Sequence, residues 1–149
     1  MSSFSLLVTN RRLCFCFFQA IFILGYIFAN SIYGSLTTLG DGYDPITFNY
    51  HTSNFDRTQI VLLVYKILSF IFPHQVSGLF LCMANGILAW AICCNVQSIV
   101  LRKAYILTFS SIFFLAWSSI PSKEQIVITL TFIIILSLQK IFSGERKFL

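Results

Sequence analysis

Between Arg12 and Asp41 the chain carries no Asp, Glu, Lys or Arg, and three more charge-free stretches follow at 67–101, 104–122 and 125–139. Apolar sequence of that length without charge is what a helix needs to cross a bilayer, about 20 residues at 1.5 Å rise each. Composition closes the alternative: only 10% of the 149 residues are charged and 57% are hydrophobic, whereas a soluble domain carries about a quarter charged residues. A water-facing surface cannot be built from this chain. The sequence therefore predicts an all-α, polytopic membrane protein forming a single membrane domain over 1–149.

The first run, 13–32, follows Arg11 and Arg12 and so resembles a secretory leader at its start, but it is longer than a leader's apolar region and reads as an uncleaved span. Residues 33–57 form a polar loop that holds three of the five acids, Asp41, Asp44 and Asp56. Residues 58–72 are apolar but short and contain Tyr65 and Lys66. That pattern predicts a helix lying in the membrane interface, ended by Pro73 and His74. Long or paired apolar runs then predict spans over 76–100, 105–120 and 125–140, the last two forming a tight hairpin around Pro121 and Ser122. Trp117 and Tyr105 are expected to extend the third span into the headgroup region.

Cation placement supports four spans plus one interfacial helix. With the N-terminus in the cytoplasm, Arg11, Arg12, Arg102, Lys103, Lys140, Arg146 and Lys147 fall inside and Arg57, Lys66 and Lys123 outside, seven of ten on the inner side. A fifth crossing at 58–72 would move Arg102 and Lys103 outside and remove the bias. Both termini are thus expected in the cytoplasm. The net charge of +5 is spread over clusters that flank apolar runs, so membrane lipid is the expected partner and nucleic acid is not.

Cys14, Cys16, Cys82, Cys93 and Cys94 all lie in or beside apolar runs and read as small buried hydrophobes rather than disulfide or zinc ligands. Asn30, Asn85 and Gln97 are candidates for hydrogen bonds between helices, and Gly25, Gly78 and Gly86 for close helix approach. The 17 Phe, 6 Tyr and 2 Trp suit lipid contact, or sugar stacking if they line a cavity. No phosphate loop, zinc-ligand cluster, nucleophile elbow or dinucleotide fingerprint occurs, and no cofactor or metal is expected.

Two groups of residues can carry chemistry. In the outer loop, Asp41 and Asp44 have His51, Asp56 and Arg57 nearby, and a carboxylate there suits cation binding or general-base work. Asp-Gly and Asp-Pro are equally ordinary turn chemistry. Lys123 and Glu124 interrupt two apolar helices with almost no loop around them, and ionisable groups at that depth are functional candidates. Their other reading is a hairpin turn whose acid complements the dipole of the next helix.

Taken in order, Gly40-Asp41 with Tyr43, the segment Val64-Tyr65-Lys66-Ile67-Leu68, the Met83-Ala84-Asn85-Gly86 span and the Pro121-Ser122-Lys123-Glu124 break resemble the N-terminal part of bacterial O-antigen and exopolysaccharide repeat-unit polymerases, multi-span glycosyltransferases of lipid-linked sugars. The resemblance runs from about residue 13 to 140. It implies action on undecaprenyl-diphosphate-linked oligosaccharide at the outer face of the bacterial inner membrane, beside other polysaccharide-assembly proteins. It also implies Asp41 and Glu124 as catalytic residues, and Tyr43, Lys123 and Arg57 as substrate-binding ones. A shared substrate would require Asp41 and Glu124 to face one outward-opening cavity. Those polymerases have more spans and a larger outer loop, so a chain of this length would be a truncated product, one piece of a split polymerase or a small accessory protein. The competing reading is a small non-enzymatic membrane protein: an immunity protein, a flippase-like accessory or a partner subunit.

Overall fold

The computed structural model describes residues 3–29, 31, 63–64, 66–68, 70–71, 74–119 and 123–142. Among them are six named helices and no strand: α1 (Ser3–Thr9), α2 (Arg11–Phe28), α3 (His74–Asn95), α4 (Ile99–Phe109), α5 (Ile112–Ser119) and α6 (Lys123–Phe142). Three of them, α2, α3 and α6, are long and apolar enough to cross a bilayer alone, and α4 with α5 forms a pair bent by 60°. This is an all-α polytopic membrane protein.

Side-chain contacts give the direction of each crossing. Trp90 Nε1 donates to Arg11 O at 3.0 Å, Gln19 Nε2 to Met83 O at 3.4 Å and Cys82 Sγ to Phe22 O at 2.9 Å. Numbers rise along α2 as they fall along α3, so the two are antiparallel. The bent pair follows α2: Phe109 lies 6.3 Å from Phe18, Phe114 lies 6.5 Å from Phe22, and Ser119 meets Gly25. Gln125 reaches Gly78 O and Gln139 reaches Ile92 O, both at a separation of 47 residues, so α6 runs parallel to α3. α2 and α4–α5 therefore cross one way and α3 and α6 the other. One end of the bundle holds Arg11, Arg102 and Gln139; the opposite end holds Gly25, Gly78, Ser119 and Gln125.

The span expected at 76–100 is helical only to Asn95. Val96 to Ser98 interrupt it, and Ser98 caps α4 by accepting from Leu101 N–H at 3.5 Å. The third crossing consequently begins at Ile99, and Tyr105, half-buried, packs against the core stacked on Phe109 at 5.5 Å. Its bend follows from two adjacent serines. Ser110 Oγ donates to Ile106 O at 2.6 Å, and Ser111 Oγ accepts from Phe114 N–H at 3.4 Å. The Ser110 hydroxyl adds a second donor to Ile106 O, which Ser110 N–H still pairs at 3.0 Å, while the Ser111 hydroxyl takes the Phe114 N–H that an unbroken helix would pair with a carbonyl.

His74 opens α3 instead of closing the segment before it. α1 was not apparent in the sequence; Asn10 separates it from α2, its side chain accepting from Arg12 and Leu13 N–H at 3.0 and 3.3 Å. Residues 63–64, 66–68 and 70–71 are helical, and Leu68 packs on Leu81, as Ile126 does. That contact holds the segment at the end where α3 and α6 begin, while Phe70 and Ile71 remain 84% and 69% exposed. An interfacial position fits both facts.

α3 is the hub, with 44% of its span buried against 17% for α2 and 11% for α6. Its inner face meets Phe18, Phe22, Ile106 and Phe132, which are almost wholly buried. Phe109 contacts Phe132 edge-on at 4.9 Å and Phe114 at 5.4 Å, so part of the aromatic load fills the interior. Other described rings face outward, as Phe113 and Phe142 do. All five cysteines are free thiols; Cys14, Cys82 and Cys93 are buried, Cys94 is partly so and Cys16 is exposed.

Candidate functional site

The Pro121–Glu124 break joins α5 to α6, and Glu124 lies in the first turn of α6. A carboxylate is favoured there because the unpaired N–H groups of a helix start carry partial positive charge. Glu124 is partly exposed and, with Trp117, Val127 and Ile128 among the described residues, lines a groove of about 340 Å³ between the two helices. Trp117 and Val127 are 55% and 58% exposed, so the groove opens sideways, toward the lipid, near one end of the bundle. Among the described residues Glu124 meets no cation and is the only acid.

Beneath the groove a polar seam joins α6 to α3. Gln125 and Asn85 are fully buried. Gln125 Nε2 donates to Gly78 O at 3.2 Å, while Thr129 Oγ1 lies 2.8 Å from both Asn85 Oδ1 and Gln125 O. A hydroxyl has one hydrogen. The hydroxyl therefore serves either the Asn85 side-chain oxygen or Gln125 O, and the Asn85 NH₂ is left without a hydrogen-bond partner among the described residues. Near the other end Gln139 Nε2 approaches Ile92 O at 3.4 Å.

That other end carries Arg102. Its Nη1 donates to Val8 O at 3.0 Å and its Nη2 to Val96 O at 2.7 Å. One guanidinium thus holds carbonyls near the C-terminal ends of both α1 and α3, where a cation is favoured. Arg11, Arg12, Lys103 and Lys140 lie toward the same end, each beside a residue already placed there.

Of the residues singled out in the sequence, Glu124 borders the groove and Lys123 begins α6. The Lys123 side chain, Asp41, Tyr43 and Arg57 lie outside the described residues, as do Asp44, His51, Asp56 and Asn30. Asn85 does bond between helices, whereas Gln97 is exposed in the break between α3 and α4. Gly25, Gly78 and Gly86 all stand at helix contacts. Sequence reading missed Gln19, Gln125, Thr129 and Gln139; the signal was present, since Gln125, Thr129 and Gln139 lie on one helical face at separations of 4 and 14 residues. No group of three or more metal-ligating side chains occurs among the described residues. No known protein family, curated protein or solved structure matches this chain.

Proposed function

We propose that this chain is a polysaccharide-polymerase-like component of a bacterial inner membrane, acting on undecaprenyl-diphosphate-linked oligosaccharide. The observation that carries the reading is Glu124: a carboxylate without a described cation partner, fixed at the start of a spanning helix beside a groove open to the lipid. A substrate tethered to a membrane lipid reaches such a group sideways, through the bilayer, without crossing the bundle. In this reading Glu124 acts as acid or base or orients the substrate, with Asp41 as its catalytic partner. Lys123, Arg57 and Tyr43 bind the saccharide diphosphate. The end that holds Glu124 is outside, and the basic end is cytoplasmic. Further spans of the polymerase would come from other chain segments or subunits.

The test is the surface-lipopolysaccharide ladder of the source strain after deletion of the gene, with restoration by wild type, Glu124→Gln or Asp41→Asn. Loss of long chains rescued by wild type and by neither variant supports the reading. An unchanged ladder overturns it in favour of the second reading, a non-enzymatic partner subunit. That alternative draws on the interior, where the described helices are tied by amide and hydroxyl groups.

A further inference from the structure

We infer that Arg11 and Arg12, one turn from the Phe15–Trp90 pair, form a binding site for an anionic phospholipid. The guanidinium groups take its phosphate, and its glycerol and first methylenes lie along the two rings. This goes beyond the polymerase reading, which concerns the opposite end of the bundle.

The side chains stand in the order of a phospholipid. Trp90 Nε1 donates to Arg11 O at 3.0 Å, which ties the indole of α3 to the start of α2, and the ring meets Phe15 edge-on at 5.3 Å. Phe15 follows Arg11 and Arg12 by four and three residues, one helical turn. Arg11, Arg12, Leu13 and Phe15 are exposed, as is Ile87, one turn before Trp90 on α3. Cationic heads thus border an aromatic pair and then an aliphatic surface open to lipid, matching phosphate, glycerol and acyl chain.

The cations here differ in what already holds them. Arg102 is committed to Val8 O and Val96 O, whereas Arg11 and Arg12 form no ion pair among the described residues. The Arg12 and Leu13 N–H groups are taken by Asn10 Oδ1, so an anion at this place is held by side chains rather than by the helix start. A guanidinium suits that task, since its planar fork matches phosphate oxygens.

Charge complementarity selects the partner. Arg11, Arg12, Arg102, Lys103 and Lys140 share this end, Arg146 and Lys147 follow α6, and the one acid that follows α6 is Glu145. Glu124 begins α6 at the opposite end, and the segment that holds Asp41, Asp44 and Asp56 leaves α2 and enters α3 there too. One carboxylate cannot balance seven cations, so the membrane supplies the rest. A choline or ethanolamine headgroup would bring a further cation among them, and an anionic phospholipid brings none.

The chain contains two tryptophans, and Trp117→Phe leaves Trp90 as sole reporter with its bond to Arg11 O untouched. The purified full-length protein is placed in phosphatidylcholine nanodiscs holding a fixed fraction of phosphatidylglycerol. Bromine is carried either by the glycerol lipid or by an equal amount of the choline lipid. At low salt Trp90 should be quenched with a roughly fivefold apparent preference for the glycerol lipid, the size expected of one basic residue at an anionic surface. Arg11→Gln with Arg12→Gln should abolish the preference, since the Trp90 bond is to backbone and survives. Lys140→Gln should leave it unchanged: Gln139 meets Ile92 O, and Ile92 and Trp90 point to opposite sides of α3. Should the double variant lose its helical circular dichroism, Arg12→Gln alone is read, and the preference should fall at least twofold. Equal quenching by both lipids, or a preference that survives loss of the guanidinium groups, overturns the proposal. So does an equal fall with Lys140→Gln, which would mean diffuse attraction to the basic end. Each outcome leaves the lipopolysaccharide ladder to decide the polymerase reading separately.

Discussion

At the scale of single residues, close helix contact is bought with hydrogen at two glycines, and the two should respond differently to a methyl group. A Cβ on Gly25 would stand 2.7 Å from Ser119 Oγ, an atom only two bonds from the Cα of a helix and in a fully buried residue. Gly25→Ala should therefore lower stability by about 1–3 kcal/mol, as overpacking does, seen as an earlier midpoint in detergent denaturation. Removing the hydroxyl with Ser119→Ala in the same chain should restore most of the loss; a double variant no better than the single would put the strain in the backbone instead. A Cβ on Gly86 would meet the Gln19 amide at 2.9 Å, the far end of a flexible side chain, so Gly86→Ala should cost less. Arg102 follows a different logic. Its two nitrogens each serve one helix end, and Arg102→Met leaves both carbonyls without that donor. Hydrogen bonds to charged groups contribute about 1.5–3 kcal/mol each, reduced here by partial exposure, so a loss of about 2 kcal/mol is expected in the same assay. Arg102→Lys should recover only part of it, because a single ammonium cannot span the fork.

At the scale of helices, sequence and structure agree where a side chain's solvent decides the outcome and part where its neighbours do. The charge-free runs announced α2, α3 and α6 because only lipid tolerates such surfaces, and Lys123-Glu124 was legible as the start of a span because ions interrupt apolar sequence there. The break at Val96 to Ser98 was not legible, since neutral polar residues occur both within spans and between them. Nor was the bend at Ser110 and Ser111, because a serine can either sit quietly in a helix or take over its backbone bonds. The Gln125–Thr129–Gln139 face is a similar case: its spacing was visible, but its partners on α3 depend on a parallel register that no local pattern encodes. A double-mutant cycle on Asn85→Leu and Thr129→Val tests that register. Interhelical polar pairs in membranes couple by about 0.6 kcal/mol and at most about 1.7, and a coupling in this range is expected. A coupling of zero would mean that Thr129 bonds only its own helix, through Gln125 O.

At the scale of the whole molecule, the number of crossings decides on which side the chain ends. α2, α3 and α6 each cross once, so the fate of the C-terminus rests on the bent α4–α5 pair. Were that pair re-entrant, it would return to the end it left, and α6 would begin among the cations. The contacts instead run from Arg102, bonded to Val8 and Val96, through Phe109 against Phe18, to Ser119 against Gly25. That path leads from one end of α2 to the other. The pair is a crossing broken in its middle, and α6 then returns toward Lys140. Arg11, Arg12, Arg102, Lys103 and Lys140 consequently gather at one end, and the preference of cations for the inner side predicts that this end faces the cytoplasm. Green fluorescent protein fused after Leu149 should therefore fluoresce, and alkaline phosphatase fused there should be inactive. Alkaline phosphatase fused after Ser119, at the end of the third crossing, should be active. An active phosphatase at Leu149 would place the C-terminus opposite the N-terminal cations and show that α4–α5 does not cross; inactivity at Ser119 would argue the same from the other end.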